Sequence, residues 1–251
     1  MNGEQIRDYR ILNRDVIKYI AMFTMLLNHI GGIFLPFGSL LRTFFVDIGY
    51  FTAITMCYFL VEGYSYTKSK KKYAARLLVF ALLSQIPYDL AFTQGKNITF
   101  TNLNMMFTLF ICFIIIWVYK EMTSISARAS ILVLLVFATM ICDWAIFAAV
   151  FTLLFLETKG DPAKQKMAFI WGVLFFGFFN FIGGVMENSI EKSLLSSVGC
   201  MAGPFLSGVC ITCFYNGKRA ERGRDFSKWF FYLFYPVHLF VLAAIRIGML
   251  S

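Results

Sequence analysis

VIKYIAMFTMLLNHIGGIFLP, residues 16–36, is the stretch whose reading decides the fold. A helix needs about 20 predominantly apolar residues to cross a hydrocarbon core, and this run supplies them behind a polar leader, residues 1–15. It is too long for the apolar region of a cleavable signal peptide, so a retained first span is predicted. Eight further runs follow: 44–66, 73–92, 103–119, 125–141, 143–156, 166–184, 194–215 and 229–248. The fifth and sixth segments are short and meet at Cys142-Asp143, as a tight hairpin or a re-entrant pair would. No long polar stretch separates two halves. The expectation is an all-α, polytopic integral membrane bundle of about nine transmembrane helices, one domain over residues 1–251.

Composition and charge agree with this. The chain is 59% hydrophobic and 15% charged, against roughly 45–50% apolar and about 25% charged in soluble domains. The net charge of +9 does not imply nucleic acid, which requires a soluble basic face. In membrane proteins basic residues gather instead in cytoplasmic loops. With the N-terminus in the cytoplasm, 19 of the 23 Lys and Arg fall on that side: Arg7, Arg10, Arg14 and Lys18, then clusters within 68–76, 120–128, 159–166 and 218–228. Arg42, Lys96, Lys192 and Arg246 are left outside. Removing one span would scatter the later clusters, so the pattern favours nine.

Pro87, Pro204 and Pro236 stand inside spans and predict kinks. Gly199 and Gly203 have the GxxxG spacing that lets two helices approach closely. The six cysteines lie nearly all in apolar runs, as small hydrophobes do. Cys210 and Cys213 form a CxxC on one helix with no second ligand pair, so no metal is expected. No internal repeat is visible, which speaks against an inverted-repeat transporter.

Titratable groups in hydrocarbon are costly and need a reason. The chain has two histidines, His29 and His238, and both fall inside spans. At the helical rise they lie roughly 20 Å and roughly 14 Å from the cytoplasmic starts of the first and last spans, in the middle third of a core about 30 Å thick. Two imidazoles at similar depth can face one cavity, where a neutral imidazole serves as a general base. Otherwise each is a structural histidine bonding a neighbouring helix. Asn28 offers an amide to orient the base, or bonds between helices. Lys18 precedes His29 by about three turns, so the two project from nearly the same face. At the cytoplasmic rim Lys18 either meets an anionic ligand or snorkels to the interface. Asp89, beyond Pro87, and Asp143, opening an outer turn, either orient a histidine, bind an acceptor amine, or are solvated helix ends. Asn102 reads as the cap of the fourth helix.

Several blocks together carry a resemblance: Lys18-Tyr-Ile-Ala-Met-Phe-Thr-Met-Leu-Leu-Asn28-His29-Ile-Gly31, Ser84-Gln-Ile-Pro87-Tyr-Asp89-Leu, Asn104-Met-Met-Phe107-Thr108-Leu, Asp143-Trp, and Lys228-Trp-Phe-Phe-Tyr-Leu-Phe-Tyr235-Pro236-Val-His238-Leu. In this order, from residue 15 to residue 245, they resemble the TraX family of inner-membrane pilin acetylases. That family is similar to the wider group of transmembrane acyltransferases. The resemblance implies a multi-pass protein of the bacterial cytoplasmic membrane that moves acetyl from cytoplasmic acetyl-CoA to an amine or hydroxyl acceptor, a pilin N-terminus or a glycan. It implies His29 as general base, with Asn28, Tyr235 or His238 stabilising the oxyanion. The polyanionic nucleotide of CoA would sit at the basic rim of Lys18, Arg76 and Lys228, with Trp229 beside them. Lys18 and His29 have the ten intervening residues seen in the wider group, although its basic residue is more usually arginine. Asn28 departs from the aspartate that TraX sequences tend to carry there, so another orienting carboxylate, Asp89 or Asp143, is expected. A small-solute transporter, with the histidines relaying protons, is the alternative.

Overall fold

The computed structural model describes residues 9–93, 100 and 102–250. Arg7 and Lys96 of the charge pattern lie outside the described residues. The chain is all-α: α1 (Arg14–Phe34), α2 (Leu40–Tyr66), α3 (Lys70–Phe92), α4 (Met105–Glu121), α5 (Ile125–Ala138), α6 (Ala145–Glu157), α7 (Pro162–Val185), α8 (Ile190–Cys200), α9 (Ala202–Val209) and α10 (Arg224–Leu250). A 3-10 turn, Thr139–Ile141, extends α5, and a π-turn, Cys210–Phe214, extends α9. Among the described residues the only extended pairing is two isolated bridges, Leu12 with Tyr215 and Leu103 with Cys142.

Each of the nine expected segments is helical, and their starts show why the boundaries fall where they do. Short polar side chains satisfy the first backbone N–H groups. Asn13 Oδ1 accepts from Asp15 and Val16 at 3.0 Å each, and Ser39, Ser69, Asp161 and Ser189 do the same for α2, α3, α7 and α8. At α4 the cap is Asn104, whose Oδ1 accepts from Met106 at 3.0 Å, not Asn102. α10 begins five residues before the expected span, after Gly223 at φ 71°. Hydropathy marks only the membrane-embedded part of a helix, and its charged first turn continues beyond that.

Six helical stretches are long and apolar enough to cross a bilayer: α1, α2, α3, α7, the α8–α9 stack with its π-turn (Ile190–Phe214), and α10 up to Met249. Their outward faces are apolar, as at Leu82 and Ile86 on α3, Trp171 and Phe178 on α7, and Val237 and Phe240 on α10. In water such surfaces would be an aggregation liability; in lipid they are solvated. The chain is a multi-pass membrane protein. Segments five and six join through the short turn at residues 142–144: α5 buries no residue and lies mainly against α4, and α6 packs inward through Ala148, Ala149, Phe151 and Thr152. At 13 residues, α6 reaches about 20 Å, short of the hydrocarbon thickness. Pro87 and Pro236 stay inside continuous helices, whereas the eighth segment breaks at Met201, just before Pro204.

α2 is the central helix, packed against α1, α4, α6, α8 and α9, while α10 lies on α3 and α1. Glycines make two of these contacts close. A Cβ on Gly203 would stand 2.4 Å from the carbonyl oxygen of Asp47 and 2.7 Å from the amide of Phe51, so α9 rests on the backbone of α2. Gly203→Ala is therefore expected to cost about 1–3 kcal/mol by overpacking and to lower the thermal unfolding midpoint in detergent. Gly183, with nothing within 4 Å of its Cβ position, is the control. Equal midpoints for the two alanine variants would contradict this packing.

Candidate active site

A cavity of about 770 Å³ runs between α1, α2, α3, α4 and α10. On α1 its lining extends from Arg14 to Gly32, and on α2 from Arg42 to Tyr66, so it follows most of the bundle's length. One end is basic, with Lys18, Lys68, Arg76, Arg219, Arg224 and Lys228 set against Asp15 and Asp225. Beyond it lies a throat of Met22, Met25, Met56 and Leu60, then a polar inner end with Asn28, His29, Tyr50, Asp143, Trp144 and Tyr235. Lys18 and His29 thus share a face of α1, as their spacing predicts.

At the basic end the cations are not equivalent. Arg14 is paired with Glu62 at 2.6 Å, and Glu62 also accepts from Tyr215 at 2.8 Å, so that charge is balanced within the fold. Lys18 holds its ammonium 5.1 Å from the Phe231 ring centroid and 5.7 Å from that of Phe59. Arg76 lies over Tyr73 and Tyr232, and its buried Nε has no hydrogen-bond partner among the described residues. A buried guanidinium N–H without an acceptor is costly, and an anion in the cavity would supply one. Lys228 lines the mouth, but Trp229 does not. Its ring carries the Lys228 ammonium 5.1 Å from its centroid and is 48% exposed, so it faces outward.

The two histidines meet. His29 Nδ1 and His238 Nε2 are 2.8 Å apart, their rings within 10° of parallel, and both are buried. His238 Nδ1 lies 2.7 Å from the carbonyl oxygen of Phe234, and its ring stacks on that of Phe234 at 4.7 Å. His29 lines the cavity; His238 stands behind it. Asn28 donates to the Val46 carbonyl at 2.9 Å. That bond exists because Gly49 lets α2 approach: a Cβ there would stand 2.2 Å from Asn28 Cβ. Asn28 therefore ties α1 to α2 while also lining the cavity.

Tyr235 is buried, and its oxygen accepts from the backbone N–H of Met105 at 3.3 Å. The phenolic hydrogen is left to point elsewhere, and Tyr235 lines the cavity near His29, their ring centroids 6.3 Å apart. The start of α4, which holds Tyr235, is itself fixed by Asn104. Its amide donates to the Ala81 carbonyl at 2.8 Å and to Gln85 Oε1 at 2.9 Å. Gln85 in turn donates to both oxygens of Asp89 at 3.1 Å and to the Asn102 carbonyl at 3.0 Å. Asp89 is thus bound to Gln85 on its own helix and is not part of the cavity lining.

Asp143 does line the cavity. Its amide donates to the Leu103 carbonyl at 2.7 Å, and its carbonyl accepts from Thr108 Oγ1 at 2.5 Å. The next residue, Trp144, is the one non-glycine at positive φ (59°) among the described residues, a conformation that persists only where surroundings impose it. Here the ring stacks on Phe176 at 5.1 Å and meets Tyr50 edge-on at 5.7 Å. Asp143 and Trp144 therefore form a rigid corner at the inner end.

Sequence reading gave no role to Gln85, Tyr50 and Trp144, although a glutamine inside an apolar run was a visible signal. Among the described residues, no three His, Cys, Asp or Glu side chains gather as a metal site requires.

The family described as TraX protein matches residues 13–246. The "Probable fimbrial assembly protein FimC, serogroup H1" of Dichelobacter nodosus is 28% identical over 236 residues, covering 92% of this chain and 94% of that protein. No solved structure matches the chain.

Proposed function

We propose that this chain, which belongs to the TraX family, is a membrane-embedded acetyltransferase that moves acetyl from cytoplasmic acetyl-CoA to an amine or hydroxyl acceptor. The arrangement is a bundle of nine helical segments, the short fifth and sixth acting as a pair, with the N-terminus in the cytoplasm, in the bacterial cytoplasmic membrane. The observation that carries the reading is His29, an imidazole with one nitrogen engaged by its neighbour, at the inner end of a cavity whose other end is cationic. The phosphates of CoA suit Lys18, Arg76 and Lys228, and its slender pantetheine arm suits the methionine-lined throat.

In this account the acceptor amine or hydroxyl attacks the thioester carbonyl while its proton passes to His29 Nε2. The Tyr235 hydroxyl donates to the developing oxyanion. Collapse expels the thiolate, which takes the proton back from His29 Nε2 and leaves as CoA thiol. Asp143, with the faces of Trp144 and Tyr50, suits an amine that arrives at the inner end as an ammonium, and the Asp143 carboxylate takes the first proton so that the neutral amine can attack, releasing it to solvent after transfer. The match to a protein named for fimbrial assembly supports a pilin subunit as the source of the acceptor.

The access route is tested on purified protein by calorimetry. Arg76→Ala and Lys18→Ala are each expected to weaken acetyl-CoA binding about tenfold, the loss of one charge-assisted bond. Unchanged affinity in both would contradict the route. Solute uptake into liposomes without CoA would point to a transporter instead.

A further inference from the structure

We propose that His238 is the positioning residue for His29, a neutral imidazole doing the orienting work that a carboxylate does beside many catalytic histidines. The proposal rests on the acetyltransferase reading and deepens it. Its argument is hydrogen counting. A carbonyl oxygen can only accept, so the 2.7 Å contact from His238 Nδ1 to the Phe234 oxygen puts a hydrogen on His238 Nδ1. In a neutral ring His238 Nε2 is then an acceptor. The 2.8 Å contact between it and His29 Nδ1 therefore requires His29 Nδ1 to be the donor. The chain of donation ends on His29 Nε2, which keeps its lone pair. That is the nitrogen a general base needs, on the ring that lines the cavity.

Geometry and surroundings favour a fixed relay. The two rings lie within 10° of parallel with centroids 5.0 Å apart, as an in-plane bond between ring edges requires. His238 is held by stacking on Phe234 at 4.7 Å, and His29 meets the edge of Phe92 at 5.3 Å. The two carboxylates expected to orient His29 are placed otherwise, Asp89 on Gln85 and Asp143 in the cavity wall. The neighbouring Asn28 has its amide on Val46. A neutral partner also avoids burying a resting negative charge at membrane depth, where desolvation is most costly. Once His29 gains a proton, its Nδ1–H bond to His238 becomes charge-assisted and strengthens.

Because the chain has two histidines, 15N-histidine labelling gives four ring nitrogens, which His238→Gln assigns by difference. In the full-length protein in nanodiscs, both rings are expected in the Nδ1–H tautomer, with both Nε2 atoms unprotonated. In His238→Leu, His29 is expected to lose that preference, and kcat for acetyl transfer to fall about 10²-fold with KM for acetyl-CoA within about threefold. In His238→Gln, whose Oε1 can accept the same hydrogen, kcat is expected to recover to within about tenfold of wild type. A purely structural role would not separate the Leu and Gln variants in kcat at equal thermal stability. An Nε2–H tautomer for His29 in the wild-type protein overturns the proposal, as does full kcat in His238→Leu. Should the tautomers be as predicted but wild-type protein transfer no acetyl group, the positioning stands and the acetyltransferase reading fails.

Discussion

His29→Ala is expected to lower kcat for acetyl transfer by about 10²–10⁴-fold, the range supplied by a positioned general base, while acetyl-CoA binding is retained. Separating kcat from binding matters here because the imidazole is buried and its removal leaves His238 Nε2 without its partner, a structural cost in itself. Circular dichroism and the unfolding midpoint report that cost. Transfer at matched acetyl-CoA saturation reports the chemistry. The nucleotide is assigned to the basic end of the cavity, about 16 Å along α1 from His29 at the helical rise between residues 18 and 29. Affinity should therefore be insensitive to the imidazole. A variant that folds, binds acetyl-CoA and transfers at the wild-type rate would remove His29 as the base.

Tyr235→Phe is expected to be the second large loss, about 10²–10³-fold in kcat, as for removal of one oxyanion donor. Phenylalanine keeps the ring and its buried packing. It removes only the hydroxyl, which accepts from Met105 and whose hydrogen is free to point into the cavity. The freed Met105 N–H lies in the first turn of α4 and costs about 1 kcal/mol in stability. A small drop in melting midpoint should therefore accompany a much larger drop in kcat, with acetyl-CoA affinity unchanged. Steady-state kinetics of the folded variant decide this, and wild-type kcat would remove Tyr235 as the oxyanion donor.

How much of this was readable from residues follows from what hydropathy can and cannot encode. Runs of about 20 apolar residues fix the helices of a membrane protein, so the nine segments matched in position, with ends corrected by caps such as Asn104. Relative height along the bundle was also readable, because rise per residue is constant, and the two imidazoles meet as their similar distances along the first and last spans allowed. Azimuth was not readable. In lipid the outward and inward faces of a helix are both apolar, so α2 and α3 give little sign of which side turns in. That is why Asp89 was grouped with the histidines when it faces Gln85, and why Trp229 was grouped with the mouth when it turns outward. The Gln85–Asn104 contact that sets Tyr235 joins α3 to the start of α4, and the left-handed turn at Trp144 carries no glycine to announce it. GxxxG was legible as packing, although its partner, the backbone of α2 at Asp47, was not.

The most direct measurement is a cryo-electron-microscopy structure of the protein in nanodiscs with acetyl-CoA. The predicted result places the nucleotide among Lys18, Arg76 and Lys228, the pantetheine in the throat, and the thioester within hydrogen-bond reach of His29 Nε2 and the Tyr235 hydroxyl. Density for acetyl-CoA outside this cavity, or a cavity that stays free of it at saturating concentration, would contradict the account.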